Sequence, residues 1–160
     1  MRKLVFAIAI LAQLSVLAQT KDLDRQDKGD REAYLVQVAQ KVITGISKKY
    51  YRDWTKPLIS PLQSFGEREI DNREEMKKYE GRKYYAVSIL YDKSKELFEM
   101  DYAARVCIWA DDGTPWSIET GNGMGCEFLT IPFERYIKSK DFREIPYQQI
   151  DSDLQKYHKK

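Results

Sequence analysis

The chain has 160 residues and a formal net charge of +2, from 27 Lys and Arg against 25 Asp and Glu. This length is enough for one domain with a real hydrophobic core, and too short for two. A nucleic-acid-binding protein normally carries a basic excess that neutralises phosphates. The near-balance of charges therefore argues against a nucleic acid as partner, and we interpret the basic run at Lys48, Lys49 and Arg52 as solvated surface.

The N-terminus has the pattern of an export signal. Arg2 and Lys3 form a basic start, Leu4–Leu17 is an uncharged apolar stretch, and Val16 and Ala18 are the small residues that signal peptidase needs. A transmembrane helix needs about 20 apolar residues, and this stretch is shorter. We expect cleavage after Ala18 and a periplasmic or extracellular protein, not lipid-anchored because no Cys follows the cleavage point. Processing would leave 25 residues of each charge sign.

The first third of the remaining chain predicts a leader and a long helix. Residues 19–29 are polar and lack apolar periodicity, which is typical of a flexible leader. Asp30 is a suitable N-cap for a helix over residues 31–50. The apolar residues of that helix recur at three- and four-residue steps and form one stripe, which predicts packing against a core. They are Leu35, Val38, Ala39, Val42, Ile43, Ile46 and Tyr50.

Two less regular segments follow. Tyr51–Gly66 contains Pro57 and Pro61, which exclude a continuous helix, so we predict a loop laid across the body of the protein. Residues 67–83 are dense in charges of both signs and are interpreted as a solvated face. Asp71 or Asn72 could cap a short helix through Tyr79, with Gly81 ending it.

Alternating apolar residues then predict an antiparallel hairpin. Strands over Lys83–Asp92 and Leu97–Trp109 are joined by a polar turn. If Tyr91 lies opposite Phe98, the apolar sets of both strands share one buried face. In this register Ile89 meets Met100, Val87 meets Tyr102 and Tyr85 meets Ala104. A third strand over Trp116–Thr120, with Ile118 opposite Ile108, and a fourth over Cys126–Ile131 are expected.

A final amphipathic helix around residues 150–157 completes the prediction. The sequence thus predicts a single α+β domain over residues 30–160, with the long N-terminal helix packed on one face of an antiparallel meander of three or four strands and a short C-terminal helix. The order of elements is similar to that of the cystatin-like architecture. The inhibitory cystatin signature Gln-x-Val-x-Gly is approached only by Gln40–Thr44, which ends in Thr and lies in the predicted helix, so the resemblance does not imply protease inhibition.

The two cysteines pose a question of topology. In an oxidising compartment a Cys107–Cys126 disulfide is the first expectation. It would close a loop of about 20 residues and stabilise the fold by about 3 kcal/mol. If the third strand lies between the two residues, they are about 9–10 Å apart and cannot bond. If the chain after Gly125 folds back over the outer face, they can.

Residues for catalysis and metal binding are scarce. The single histidine, His158, is close to the C-terminus, so Ser–His–Asp or Cys–His catalysis lacks a base in the folded body. Two Cys and one His, without CxxC or HExxH spacing, do not form a zinc site, and we expect no metal and no cofactor. Glu99 and Asp101 lie beside Arg105 on the outer face of the second predicted strand, at about the 7 Å spacing that glycoside hydrolysis uses. The same pattern also keeps a half-exposed strand face wet.

Aromatic residues and a glycine-rich turn indicate a binding surface. Tyr84 and Trp109 point away from the predicted core, where they are covered by Tyr51–Gly66 or the chain after Gly125, or receive a partner. The candidate interaction surface consists of Tyr84, Trp109, Gly121, Asn122, Gly123 and Met124. We hypothesise an exported non-enzymatic binding module whose partner is an unknown protein or envelope component. The alternatives are a carboxylate-based hydrolase acting on envelope glycans and a structural subunit of an envelope assembly.

Overall fold

The computed structural model describes residues 22–71 and 73–137. The expected signal peptide and the predicted helix around residues 150–157 lie outside these residues. Within them the fold is α+β, as predicted, with a long helix packed against one face of an antiparallel sheet and a short helix near the end of the described chain. No helix in the described ranges is long and apolar enough to cross a bilayer.

The long helix, α1, spans Lys28–Ser47 and begins earlier than predicted. Its N-cap is Asp27, whose carboxylate accepts a hydrogen bond from the Gly29 N–H at 3.2 Å, so Asp30 lies in the first turn. A 3-10 turn over Lys48–Tyr50 continues the helix. The predicted apolar stripe faces the sheet, and its most deeply buried members have no exposed surface: Leu35, Ala39, Val42 and Ile43.

The fold begins before α1, within the segment expected to be a flexible leader. A 3-10 turn over Leu23–Arg25 precedes the helix. Leu23 is fully buried in the core, and its N–H donates to the Ala110 carbonyl at 2.7 Å. The described part of the leader, from Asp22 onward, is therefore packed against the body, because one apolar residue in a polar segment is enough to dock it.

Six strands form one antiparallel sheet in the described chain. They are β1 (Leu58–Ile59), β2 (Gln63–Ser64), β3 (Lys83–Ile89), β4 (Ala104–Trp109), β5 (Pro115–Thr120) and β6 (Gly125–Glu127). The order across the sheet is β1-β3-β4-β5-β6, and β2 also pairs with β3. Strands β1 and β2 come from the segment predicted as a loop, so the count exceeds the three or four strands expected. Between them, Ser60 closes the edge of β3 with its backbone N–H and its hydroxyl.

The predicted β3–β4 register was wrong by four residues. Ile89 lies opposite Ala104, Val87 opposite Val106 and Tyr85 opposite Ile108. The cause is a long irregular connection over residues 90–103, which takes the place of the polar turn and of the first half of the predicted second strand. Because the shift is an even number, the paired residues of β3 and β4 stay on their predicted faces, and Val87 and Val106 are both fully buried. Tyr102, predicted on the core face, instead lies beside Arg105 of the outer face, because it belongs to the irregular connection.

The β4–β5 register also differs from the prediction, since Ile118 lies opposite Val106 rather than Ile108. Cys107 pairs with Ser117 and Ile108 with Pro115, which makes Trp116 the extra residue of a bulge. Strand β6 is shorter than predicted because Phe128 leaves the sheet to enter the core. There it packs against Phe133 of the last helix.

Three further short helices, one of them a 3-10 helix, complete the described fold. Helix α2 spans Glu67–Ile70, and a 3-10 helix spans Glu74–Tyr79, where a short helix was expected. Gly81 has φ +79 and ends that stretch, as predicted. Helix α3 spans Phe133–Tyr136 and packs at the end of α1. The sheet therefore has α1 on one face, while residues 65–71 and 73–79, which we call the α2 segment, lie over the other.

Candidate functional site

The outer face of the sheet, opposite α1, has a covered half and an open half. In the covered half, Tyr84 and Trp109 are only 5% and 3% exposed. A second apolar cluster buries them beneath residues of the α2 segment and Leu129, namely Phe65, Ile70, Met76 and Tyr79. Two of the candidate interaction residues are therefore nearly buried. The cover combines Phe65 of the Tyr51–Gly66 loop and Leu129 of the chain after Gly125, as predicted, with apolar residues of the 67–79 stretch.

Contacts around these two aromatic residues are those of a packed core. The Tyr84 hydroxyl donates to Glu69 Oε1 at 2.9 Å, and desolvation together with this bond raises the pKa of Tyr84. The Trp109 ring stacks on Trp116 with centroids 5.3 Å apart, and the Arg82 guanidinium lies 4.2 Å from the Trp109 ring centroid. These side chains stabilise the fold, and Tyr84 also lines the edge of the groove described below, as does Gly123, whereas Trp109 does not.

The glycine-rich turn over residues 121–125 is packed against the protein at its start and exposed at its tip. A Cβ on Gly121 would lie 2.6 Å from Phe98 Cγ and from the Tyr102 carbonyl oxygen, so this glycine is required for close packing. Asn122 donates to the Tyr50 hydroxyl at 3.1 Å, and Gly123 has φ +71. Met124 is 69% exposed at the tip. Of the predicted surface, the structure leaves the tip of this turn exposed, at one end of the sheet.

The open half of the outer face forms a groove of about 700 Å³. Its floor consists of small residues on four neighbouring strands: Ala86, Ser88, Cys107, Ser117 and Gly125. Arg68 and Arg73, from the α2 segment, line one side. The groove extends across the sheet from Leu58 and Gln63 to Glu127 on β6. This groove is the candidate functional site.

Arg105 on β4 and Glu119 on β5 are charged residues on the floor of the groove, and Arg105 carries open donors. Its Nε donates to Ser88 Oγ at 3.1 Å, and its guanidinium lies 4.0 Å from the centroid of the Tyr102 ring. Tyr102 in turn donates its hydroxyl proton to Glu119, which lies directly opposite Arg105 on β5. Within residues 22–71 and 73–137, no oxygen accepts a hydrogen bond from either terminal nitrogen of Arg105. The Arg105 guanidinium is thus fixed through its Nε, while its two terminal nitrogens face the groove without an acceptor from the described chain.

Most of the other charged side chains that line the groove form hydrogen bonds or ion pairs within the protein. Arg73 donates to both carboxylate oxygens of Glu127, at 2.8 and 3.0 Å. Glu69 accepts from the Tyr84 hydroxyl and from the Gly66 N–H. Arg68 forms no hydrogen bond or ion pair with any other described residue, and Asp71 is exposed beyond the end of α2.

The expected disulfide is absent, because Cys107 and Cys126 are both free. Strand β5 lies between them, which is the topology that prevents bonding. Cys107 faces the groove, whereas Cys126 packs against the core on the other face, next to Tyr136 of α3. Desolvation raises the pKa of Cys107 to about 11, so its thiol is a poor nucleophile near neutral pH.

The predicted carboxylate pair does not form on a strand. Glu99 and Asp101 belong to the irregular connection over residues 90–103. Asp101 forms an exposed ion pair with Lys93 at 2.6 Å, and neither acid lines the groove. The described residues also contain no group of three or more His, Cys, Asp or Glu that could hold a metal ion.

No family model, curated protein or solved structure matches this chain. The functional interpretation therefore depends on the groove and its arginine.

Proposed function

We propose that this protein is an exported, non-enzymatic binding module that engages a protein or envelope component through the groove on the outer face of its sheet. The observation that carries the proposal is Arg105, a guanidinium that is held by Ser88 and Tyr102 yet has no acceptor for its terminal nitrogens among the described residues. Specific binding sites are concave and contain a few well-placed polar groups, with volumes of about 300–1,000 Å³. The groove, at about 700 Å³, falls within that range.

The position of the acidic residues favours binding over hydrolysis. A glycosidase needs two carboxylates on either side of the scissile bond. In the groove, Glu127 is paired with Arg73 and Glu69 is used by Tyr84. Export is part of the proposal and rests on the signal pattern of residues 1–18. The cystatin-like order of elements likewise remains an interpretation, which the helix and the β3–β6 meander support and the two additional edge strands complicate.

Site-specific photo-crosslinking tests the groove as the binding site. A benzophenone amino acid at Gln63, an exposed residue lining the groove, should yield an adduct when the mature protein is incubated with an envelope extract from its host. Gln40 on α1 is the matched control, because it is an exposed glutamine on the other side of the sheet. Equal adduct formation from both positions, or from neither, would contradict the proposal. Cleavage after Ala18 is tested separately, by expressing the full chain in its host and measuring the intact mass of the exported protein.

A further inference from the structure

We infer that the occupant of the groove is an extended segment of a partner protein that places an Asp or Glu carboxylate on Arg105. This inference rests on the proposed function and names the chemical class of its ligand. It depends on three observations: the open edge of one guanidinium, the unused arginine donors of the groove, and the length of the groove.

The first observation is that Arg105 is prepared to receive a carboxylate. An arginine binds a carboxylate best through two parallel N–H groups of its planar fork. Elsewhere in this protein Arg73 and Arg82 donate in that way to acidic side chains of the same chain. Arg105 is also held in place, because its Nε donates to Ser88 and its guanidinium lies over the Tyr102 ring. No acidic residue of the described chain accepts a hydrogen bond from its terminal nitrogens.

The second observation is that the unused hydrogen-bond donors of charged side chains in the groove belong to arginines. Glu69 and Glu119 each accept a hydrogen bond from a tyrosine hydroxyl, and Glu127 is paired with Arg73. The side chains of Arg68 and Arg105 retain donors that no described residue uses. The lining also includes the Asp71 carboxylate, so the groove as a whole is not basic, and the complementarity is local: a ligand carboxylate is matched where it meets the open donors of Arg105.

The third observation is the length of the groove, which distinguishes a peptide from a small acid. The groove crosses the sheet from β1 to β6, which is four interstrand spacings. At about 4.8 Å per spacing this is roughly 19 Å, the length of about six residues of extended chain. The small residues of the floor let a peptide backbone approach closely. A single dicarboxylate would contact Arg105 and leave most of the groove filled with water.

A designed hexapeptide provides the direct test. The probe is acetyl-Thr-Glu-Thr-Glu-Thr-Glu-amide, in which the three Glu side chains lie on one side when the peptide is extended. Titration into the ¹⁵N-labelled mature protein should shift the amide resonances of Ser88, Arg105 and Ser117 in a saturable way. The same peptide with Gln in place of Glu should bind at least about tenfold more weakly, because charge-assisted hydrogen bonds are the stronger ones. Equal binding of the two peptides, or shifts confined to residues outside the groove, would overturn the inference.

Protein variants separate the arginine fork from general electrostatics. Arg105→Gln should weaken binding of the Glu peptide at least about tenfold, while Arg105→Lys should keep part of the affinity because it retains charge without the fork. Arg25→Gln is the matched control, since it removes the same charge from an exposed residue paired with Asp22 and should leave the affinity unchanged. A loss in Arg25→Gln equal to that in Arg105→Gln would show non-specific attraction and reject the site.

Two comparisons distinguish failure of this inference from failure of the proposed function. If glutarate binds as tightly as the hexapeptide, the occupant is a small acid and the inference of a peptide segment is wrong. If Gln63 gives a specific crosslink but the Glu peptide does not bind, the groove remains the binding site and the acidic class is wrong. If neither experiment succeeds, both proposals are rejected.

Discussion

Cys107 and Cys126 lie on opposite faces of the sheet, with strand β5 between them. One thiol faces the groove and the other packs against the core, next to Tyr136. The consequence is that this protein, although predicted to enter an oxidising compartment, keeps its two cysteines apart by geometry.

We therefore expect both cysteines to remain thiols when the protein is folded in an oxidising buffer. Alkylation after unfolding without reductant, followed by intact-mass measurement, should show two adducts per chain. In the native Cys126→Ser variant, alkylation of Cys107 should accelerate as the pH rises toward its pKa of about 11, because the thiolate is the reactive form. A chain two mass units lighter that resists alkylation would contradict this expectation.

Replacing Leu23 tests whether the segment before α1 belongs to the fold. Leu23→Ala should lower the free energy of unfolding by about 3 kcal/mol, since a fully buried leucine leaves a cavity when truncated. Leu97→Ala is the matched control, because Leu97 is 93% exposed and its loss should cost less than about 0.5 kcal/mol. Urea denaturation followed by tryptophan fluorescence measures both. Equal stability of the two variants would show that the segment detaches in solution.

The ion pair between Arg52 and Glu96 predicts a pH-dependent contribution to stability. The Arg52 side chain is 8% exposed and donates to both oxygens of the carboxylate, which lowers the pKa of Glu96. Glu96→Gln should cost about 2 kcal/mol at pH 7, because a buried guanidinium loses its counter-ion. The pKa of Glu96 in the folded protein lies below its ordinary value of 4.5, so as the pH falls Glu96 is protonated in the unfolded chain first. The difference in unfolding free energy between wild type and variant should therefore shrink as the pH falls through the folded pKa of Glu96.

Urea titrations at pH 7 and pH 3 measure this effect. Glu134→Gln serves as the control, because it removes an ion pair with Lys41 whose side chains are 60% and 58% exposed, and it should cost less than about 0.5 kcal/mol. A destabilisation by Glu96→Gln that is the same at both pH values would mean that packing, rather than charge, accounts for it.

Gly121 and Gly81 should respond differently to alanine. Gly121→Ala places a Cβ within 2.6 Å of Phe98 and of the Tyr102 carbonyl oxygen, so we expect a loss of about 3 kcal/mol from overpacking. Gly81 has φ +79 but open space around it, so its alanine variant should lose only the conformational cost of about 1 kcal/mol. Thermal denaturation, followed by circular dichroism, compares the stability of the two variants. A smaller loss for Gly121→Ala than for Gly81→Ala would show that the 90–103 connection can move away.

The sequence was sufficient to predict which side chains share a face, and insufficient to predict the register. Alternation in Phe98, Met100 and Tyr102 resembles that of a strand, although Phe98 instead packs in the irregular connection against Tyr50 and Tyr91. The connection is held by the distant Arg52–Glu96 pair, which no local pattern reveals. A shift of the β3–β4 register by an even number of residues leaves the alternation of buried and exposed side chains unchanged. For this reason α1 packs on the sheet through the predicted residues.

The candidate site was predicted only in part, for a related reason. The alternation of side chains predicted that Tyr84 and Trp109 point away from the α1 face. It did not predict that the α2 segment would bury them. The covering segment is dominated by charged residues, and the few apolar ones that dock it, including Ile70 and Met76, show no clear period. The groove arises where that cover ends, so Arg105 could be placed on the outer face from sequence without any sign that it remains open.

Ser60 limits how the sheet can grow. Its N–H donates to the Ala86 carbonyl at 2.9 Å and its hydroxyl accepts from the Ala86 N–H at 2.9 Å, with Pro61 next in the chain. A second copy that approached β3 would have to displace this strap before any backbone pairing could begin. Templated fibril growth through that edge of β3 is therefore hindered by β1 and β2 and by the hydroxyl and proline that join them.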